Sequence, residues 1–480
     1  MTTEFETVLG IEVHAQLLTR SKMYCRCATA PGLPNTRVCP VCLGLPGALP
    51  VVNREAVTMA VRAGLGLHCQ IREKSRFARK NYFYPDLPKG YQITQFDEPL
   101  CEWGYLDVPL EDGGTRRVGI RRIHMEEDAG KNLHGAVPGQ DVSLVDLNRA
   151  GVGLIEIVSE PDMRSPAEAA EYLKQLRAAL VFLGVNDGNL EEGSFRCDVN
   201  VSVRPRGSEA FGTRCEIKNV NSFRFVMKAI EVEVAKQIAT ITSGGKVRQF
   251  TKQYSAELND TIDLREKGNA DDYRYFPEPD LPPLVLPEGF VESVRATMPE
   301  LPWQKRHRYA TAMEIPAADA ATLTEHPELA RYFERTVSLA GGDPRRVANF
   351  LLNEVKRDVS YDGLSARFPF AEESLAELMK LVDSGTINLK IAKEVYARMV
   401  SERRGARELV DALGLTVVDD ASVIEDACRD AIEKNPKQAQ GYRAGKTALL
   451  GFFVGQVMKA TAGRAAPEKV NATLARLLSS

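Results

Sequence analysis

Polar and apolar residues alternate with period two in several short stretches of the first 280 residues: Val8–Gln16, Val118–Glu127, Leu154–Val158 and Asp198–Val203. Period two sends successive side chains to opposite faces, so each stretch predicts a β-strand with one apolar and one polar face. Helices interrupt them. Ser165, Pro166 and Glu168 supply an N-cap, a proline at the first helical position and a capping-box carboxylate, and Gly184 closes the same helix. A second helix is predicted from Ser222 to about Ala239, with Phe223, Val226, Ile230, Val234 and Ile238 at helical spacing. Asp280-Leu-Pro-Pro and Leu286-Pro-Glu-Gly then form a turn-rich linker. Beyond it the strand patterns vanish and amphipathic helical stretches take over, among them Glu328–Leu339, Arg345–Val359 and Glu372–Leu381. A break near Arg403-Arg-Gly-Ala opens a last helical block. The expected organisation is an α+β domain over residues 1–290, a helical domain over 291–405 and a helical tail over 406–480.

The polar faces have an unusual content. Glu12 and His14 share one face of a strand; Arg122, His124 and Glu126 share another; Glu156 stands in an otherwise apolar strand; Asp198, Asn200 and Ser202 alternate with valines, and Glu216 and Lys218 flank Ile217. A solvated face carries Lys, Thr, Ser and Arg more freely. Carboxylates with an imidazole are hard ligands suited to Mg²⁺ or Mn²⁺, with nucleotide phosphates completing the shell. Ordinary amphipathic strands produce the same alternation, and the pattern alone leaves both readings open.

Four of the nine cysteines fall in two close pairs, Cys25-Arg-Cys27 and Cys39-Pro-Val-Cys42, separated by eleven residues. Paired thiolates on tight turns suit a tetrahedral Zn²⁺ site with no open position, hence a structural one. The other five cysteines are scattered and do not form a disulfide framework. From Ser75 to Gln92, basic residues interleave with aromatic ones. Such a stretch can hold phosphates and stack bases, or it can be a loop packed by its own rings. Gly445-Lys446-Thr447 is no phosphate-binding loop, because Gln440 stands where that motif needs glycine and no strand precedes it.

A length of 480 residues suits about three domains, and 44% hydrophobic with 26% charged residues gives them material for real cores. The net charge of −3 says nothing about nucleic acid, but Lys434 to Ser480 carries eight Lys or Arg against one acid, Glu468, a local +7. That balance fits either a phosphate-backbone footprint or a solvated helical surface. The opening, MTTEFETVLG, has no basic region leading into an apolar stretch. No apolar run approaches the ~18 residues of a membrane span, so a soluble, cytoplasmic protein is expected.

Motifs along the whole chain resemble the B component of the glutamyl/aspartyl-tRNA amidotransferases, the GatB family. They include Gly10-Ile-Glu-Val-His14, Cys39-Pro-Val-Cys-Leu-Gly-Leu-Pro-Gly47, Arg79-Lys-Asn-Tyr-Phe-Tyr-Pro-Asp86, His124-Met-Glu-Glu-Asp-Ala-Gly-Lys131 and Leu154-Ile-Glu-Ile-Val-Ser-Glu-Pro161. Asp271-Asp-Tyr-Arg-Tyr-Phe-Pro-Glu-Pro-Asp280 and Gly451-Phe-Phe-Val-Gly-Gln-Val-Met-Lys459 extend the match. The resemblance implies a catalytic cradle of glutamine synthetase/guanido kinase type, a helical middle domain and a YqeY-like tail that docks tRNA. It implies ATP and Mg²⁺, with Glu12, His14, Glu126 and Glu156 at the metal and Glu127 facing the other way. Arg79, Lys80 and Lys218 become candidate phosphate clamps, and Lys446, Lys459, Arg464 and Lys469 candidate tRNA contacts. It also implies a heterotrimer with an amidase (GatA) and a small third protein (GatC), acting on Glu-tRNA(Gln) or Asp-tRNA(Asn). Two departures stand out. Gln249–Tyr254 differs from the arginine-rich form usual there, and the zinc cysteines are not universal in the family. The rival reading is a non-catalytic zinc and tRNA-binding scaffold; a metal nuclease would share the acids but not the full-length resemblance.

Overall fold

Strand β1 (Phe5–Gln16) lies inside a nine-stranded sheet. The others are β2 (Gln70–Ile71), β3 (Cys101–Pro109), β4 (Thr115–Glu127), β5 (Gly153–Ser159), β6 (Phe195–Pro205), β7 (Cys215–Lys218), β8 (Phe250–Ser255) and β9 (Asp260–Glu266). Their spatial order is β9-β8-β7-β6-β1-β5-β4-β3-β2. Only β7 and β8 run parallel; every other neighbouring pair is antiparallel. In this computed structural model the described residues are 4–135, 139–218, 220–266, 270–416, 421–461 and 465–479.

The alternation read from the sequence sorts the two faces of the sheet. Ile11, Val13 and Ala15 of β1, Ile123 and Met125 of β4, Ile155 and Ile157 of β5, and Val199 and Val201 of β6 are all buried. Helices α1 (Arg54–Gly66), α2 (Pro166–Phe182) and α3 (Phe223–Thr242) pack on the sheet strands. The Ser165 hydroxyl caps α2 by accepting from the Glu168 amide at 3.2 Å, and the Glu168 carboxylate reaches back to the Arg164 amide at 2.9 Å. Ser222 caps α3, which runs three residues beyond the expected Ala239. A small three-stranded sheet, Ala78–Asn81 with Tyr91–Thr94 and Phe276–Pro277, packs against β4.

The chain divides into two compact units, 1–302 and 303–480. The second is almost wholly helical, apart from the hairpin Ser360–Asp362/Ser365–Arg367. Its helix Pro344–Phe350 continues through a π-turn, Leu351–Val355, and a 3₁₀ turn, Lys356–Asp358, where one long amphipathic stretch was expected. Two apolar clusters fill this unit. One joins Tyr309, Phe333, Leu351, Leu378 and Tyr396 with Ala406, Leu409 and Val410; the other joins Ile424, Phe453, Val457, Val470 and Leu474. Helix Ala406–Leu413 therefore packs with the first cluster, and the tail's own core begins with helix Ala421–Glu433. Among the described residues no helix is long and apolar enough to cross a membrane.

Candidate active site

Register brings the polar residues into rows across the sheet. His14 pairs with Glu156 and Arg196, and Glu156 pairs in turn with His124. One row along, Glu12 pairs with Val158 and Asp198, and Val158 with Arg122; beyond that, Asn200 pairs with Glu216. Residues from distant parts of the sequence thus line one cavity of about 190 Å³, together with Lys80, Thr94, Phe96, Lys218 and Tyr275.

The innermost group is an ionic cluster. Glu156 Oε2 lies 3.3 Å from His14 Nε2 and 3.4 Å from His124 Nε2, and His124 Nε2 lies 3.2 Å from Glu126 Oε1. Thr94 Oγ1 donates to Glu126 at 2.6 Å and Gln92 Nε2 at 3.0 Å, both from the overlying small sheet. Burial alone would discharge these groups, but they are paired. It opposes protonation of His124, yet Glu156 and Glu126 raise that imidazole to about 9. It opposes ionisation of Glu126 too, yet Lys80 and then His124 hold that carboxyl down to about 2. His14 is likewise raised, against burial, chiefly by Glu156. Glu156, flanked by both imidazoles, lies well below the ordinary carboxylate value despite its burial. The carboxylate that looked isolated in its apolar strand is the shared counter-charge of two histidines.

One nitrogen of His14 and one oxygen each of Glu126 and Glu156 lie within 4.8 Å of one another. That donor set, hard and net anionic, fits a divalent cation. Glu12 lies one row away, where Asn200 Nδ2 donates to its carboxylate at 2.9 Å. Lys218 Nζ donates to Asp198 at 2.6 Å. The Lys80 amine lies 5.2 Å from the Tyr273 ring centroid and makes no ion pair among the described residues. Burial opposes its charge, but Glu126 and Glu156 hold it above its ordinary value. His14, Lys80, Glu126, Asp198 and Lys218 also line a wider cavity of about 760 Å³ that carries Tyr82, Tyr84, Lys131, Arg149 and Arg196.

The four cysteines Cys25, Cys27, Cys39 and Cys42 converge as well, with their sulfurs within 4.8 Å of one another and Cys39 and Cys42 3.9 Å apart. Four thiolates around one zinc would sit about 3.8 Å apart, given Zn–S bonds of ~2.3 Å. The Cys39 amide donates to Cys42 Sγ at 3.2 Å. The hydrogen bond from Cys25 is the main reason the Cys42 thiol is pulled down to about 4, against its partial burial.

Residues 7–292 match the family model of the GatB/GatE catalytic domain, and residues 331–478 match that of the GatB domain. The chain is 52% identical over 477 residues to the B component of the aspartyl/glutamyl-tRNA(Asn/Gln) amidotransferase of Halorhodospira halophila, with 99% of each chain covered. To the corresponding protein of Thermodesulfovibrio yellowstonii it is 51% identical over 477 residues, again with 99% of each covered. This chain belongs to the GatB family.

In this GatB-family chain the expected residues are placed unevenly. Glu12, His14, Glu126, Glu156, Lys80 and Lys218 share the compact cavity. Arg79 does not line it, because neighbouring residues of a strand point to opposite faces. Its guanidinium instead forms a fork with Glu278 at 2.8 and 2.9 Å and reaches Asp280 at 3.0 Å. Glu127 faces away from Glu126, accepting from the Ile93 amide at 3.0 Å and pairing with Lys89. Lys446, Lys459 and Lys469 are exposed, while Arg464 lies outside the described residues. His124, Arg122 and Asp198 stand on the polar faces, but alternation alone does not mark them as site residues. Gln92 and Thr94 give no sequence signal, since only the tertiary fold carries their hairpin over β4.

Proposed function

We propose that this GatB-family chain uses ATP to phosphorylate the side-chain carboxylate of Glu-tRNA(Gln) or Asp-tRNA(Asn), which ammonia then converts to the amide. The carboxylate oxygen attacks the γ-phosphorus, the bond to the β,γ-bridging oxygen breaks and ADP leaves. Ammonia then attacks the acyl carbon, phosphate departs and one proton is lost. A free carboxylate would have to expel oxide, which is why it is activated first.

One observation carries the reading: the His14–Glu126–Glu156 cluster, with ligand atoms within 4.8 Å, in a cavity bordered by Lys80. These three residues would hold Mg²⁺, whose chemistry is to neutralise phosphate charge. Lys80, held cationic beside Glu126 and Glu156, would meet incoming phosphate oxygens. Glu12 and Asp198 extend the acidic wall, and Lys218 balances Asp198. The larger cavity, about 760 Å³ and lined by acids and bases together with Tyr82 and Tyr84, would receive the RNA end. We read the mixed sheet as a distant relative of the glutamine synthetase/guanido kinase cradle. The four cysteines are read as a structural zinc site and the exposed lysines of the tail as tRNA contacts.

Nothing in the chain resembles an ammonia-releasing amidase signature, so the reading includes a separate amidase, a small third protein in the complex and cytoplasmic action. The scaffold alternative does not account for an ionic cluster buried under a small sheet. The decisive experiment measures ADP formation by the assembled complex with and without Glu-tRNA or Asp-tRNA. Turnover that requires the charged tRNA supports the reading; none with either tRNA favours the scaffold.

A further inference from the structure

Several arginines on and around the sheet are committed to carboxylates. Arg79 is forked onto Glu278, Arg117 onto Asp107 at 2.8 and 2.9 Å, and Arg196 reaches Asp128 at 2.9 Å. Arg122 differs. It is the arginine that lines the compact cavity, its side chain makes no hydrogen bond or ion pair among the described residues, and its Nε, like those of Arg62 and Arg196, is buried without an acceptor. The acid directly opposite it on β3, Glu102, is engaged by Arg72 at 2.5 Å. A desolvated donor without an acceptor is unfavourable, and native folds retain one where something else completes it.

We infer that Arg122 is the guanidinium that binds the phosphate tail of the nucleotide. The inference rests on the reading of the cavity as an ATP site. Five carboxylates line that cavity (Glu12, Glu126, Glu156, Asp198 and Glu216), against Lys80, Lys218, Arg122 and the imidazoles of His14 and His124; both imidazoles are held by Glu156, and Lys218 is bound to Asp198. A polyanion entering such a wall needs cations that are not spoken for, and Arg122 offers a planar fork matched to phosphate oxygens. Arg122 stands two residues from His124 on β4, about 7 Å along the strand, which is within a polyphosphate's reach of the His14–Glu126–Glu156 cluster. It lines the compact cavity and not the wider one. The compact volume, about 190 Å³, lies below the ~300 Å³ at which small-molecule pockets begin. It suits a phosphate tail, whereas the carboxylate on an RNA end would arrive through the wider cavity.

The test is equilibrium binding of ATP, ADP and adenosine to the full chain in Mg²⁺, for wild type, Arg122→Gln and Arg122→Lys. Loss of a charged hydrogen-bond donor should weaken ATP binding by about 10- to 100-fold in Arg122→Gln. ADP should weaken less, adenosine should be unchanged, and Arg122→Lys should recover part of the loss. Melting temperatures without nucleotide should be unchanged or higher, since no internal partner is lost. ATP binding by Arg122→Gln within twofold of wild type would overturn the inference alone. So would an equal loss for adenosine, or lower melting temperatures in both variants. If wild type itself fails to bind ATP, the ATP reading of the cavity falls and takes this inference with it.

Discussion

Opposite charge, not isolation, defines the key side chains of the cradle. Glu156 accepts two imidazoles at once, so Glu156→Gln removes both an oxygen of the proposed Mg²⁺ site and the charge that keeps His14 and His124 raised. The kcat for tRNA-dependent ADP formation should fall by at least ~10²-fold, the loss of several kcal/mol expected for a metal ligand. Circular dichroism should show the fold retained; near-wild-type turnover would remove Glu156 from the chemistry. Lys89 and Glu127 pose the opposite case, a pair with both side chains almost fully buried. Lys89→Met strands a buried carboxylate and should cost about 3–5 kcal/mol in urea unfolding, with much of it recovered by adding Glu127→Gln. At this scale period two puts Glu12 with His14 and His124 with Glu126 on shared faces, while the choice of Glu12, His14, Glu126 and Glu156 comes from the family motifs they stand in. The same rule separates Arg79 from Lys80, since only one of two adjacent strand residues can face the cavity. Gln92 and Thr94 are illegible because their contacts to Glu126 arise between separate sheets.

Between elements, polar clasps hold what apolar packing aligns. Glu334, on helix Pro327–Ala340, accepts from Lys305 at 2.7 Å, Arg308 at 2.5 Å and Tyr309 at 2.8 Å, all on helix Pro302–Ala312. Burial opposes its ionisation, but these three donors hold the carboxyl below its ordinary 4.5. A carboxyl depressed in the folded state adds stability above its unfolded value and loses it as pH falls through the folded one. The melting temperature of wild type should therefore fall more steeply below pH 4.5 than that of Glu334→Gln; parallel acid profiles would show the clasp to be inert. At the cysteine knuckle, elemental analysis should find one zinc per chain, and chelation should lower the melting temperature because metal binding is linked to folding. Less than a few tenths of an equivalent would sink the site. Both caps of α2 and α3 are readable from local residue order. The π-turn at Leu351–Val355 is not, since hydrogen-bond slippage inside a helix leaves the apolar spacing almost intact.

Over the whole molecule, charge must be counted by core rather than by segment. Helix Ala421–Glu433 shares the tail's apolar cluster, and residues 421–480 carry nine Lys and Arg against five Asp and Glu, a net of +4. Lys434 is paired with Asp430 and Arg476 with Glu425. Lys437, Lys446 and Lys459 are exposed and make no ion pair among the described residues. Deleting the chain after Leu415 should flatten the log K versus log[salt] slope for tRNA by roughly 2 to 3 units if these three meet phosphates, at ~0.7–0.9 each. An unchanged slope would make the tail a solvated surface. Cutting before Ala406, where composition suggested the boundary, would instead strip Leu409 and Val410 from the neighbouring core. Composition registers a change of helix; only packing shows which core the helix serves.

The position of β1 has a consequence for synthesis. Its two hydrogen-bonding neighbours, β5 and β6, end at Ser159 and Pro205. A ribosome adding ~5–20 residues per second needs roughly 10 to 40 s between making Gln16 and completing β6. Until Ser159 is made the strand bearing Ile11, Val13 and His14 has both edges open, and the edge that β6 covers stays open until Pro205, a template for pairing with other nascent chains. The strand that carries His14 thus waits on β6 to cover its second edge, and chaperone capture should peak on ribosomes that have not yet released Pro205.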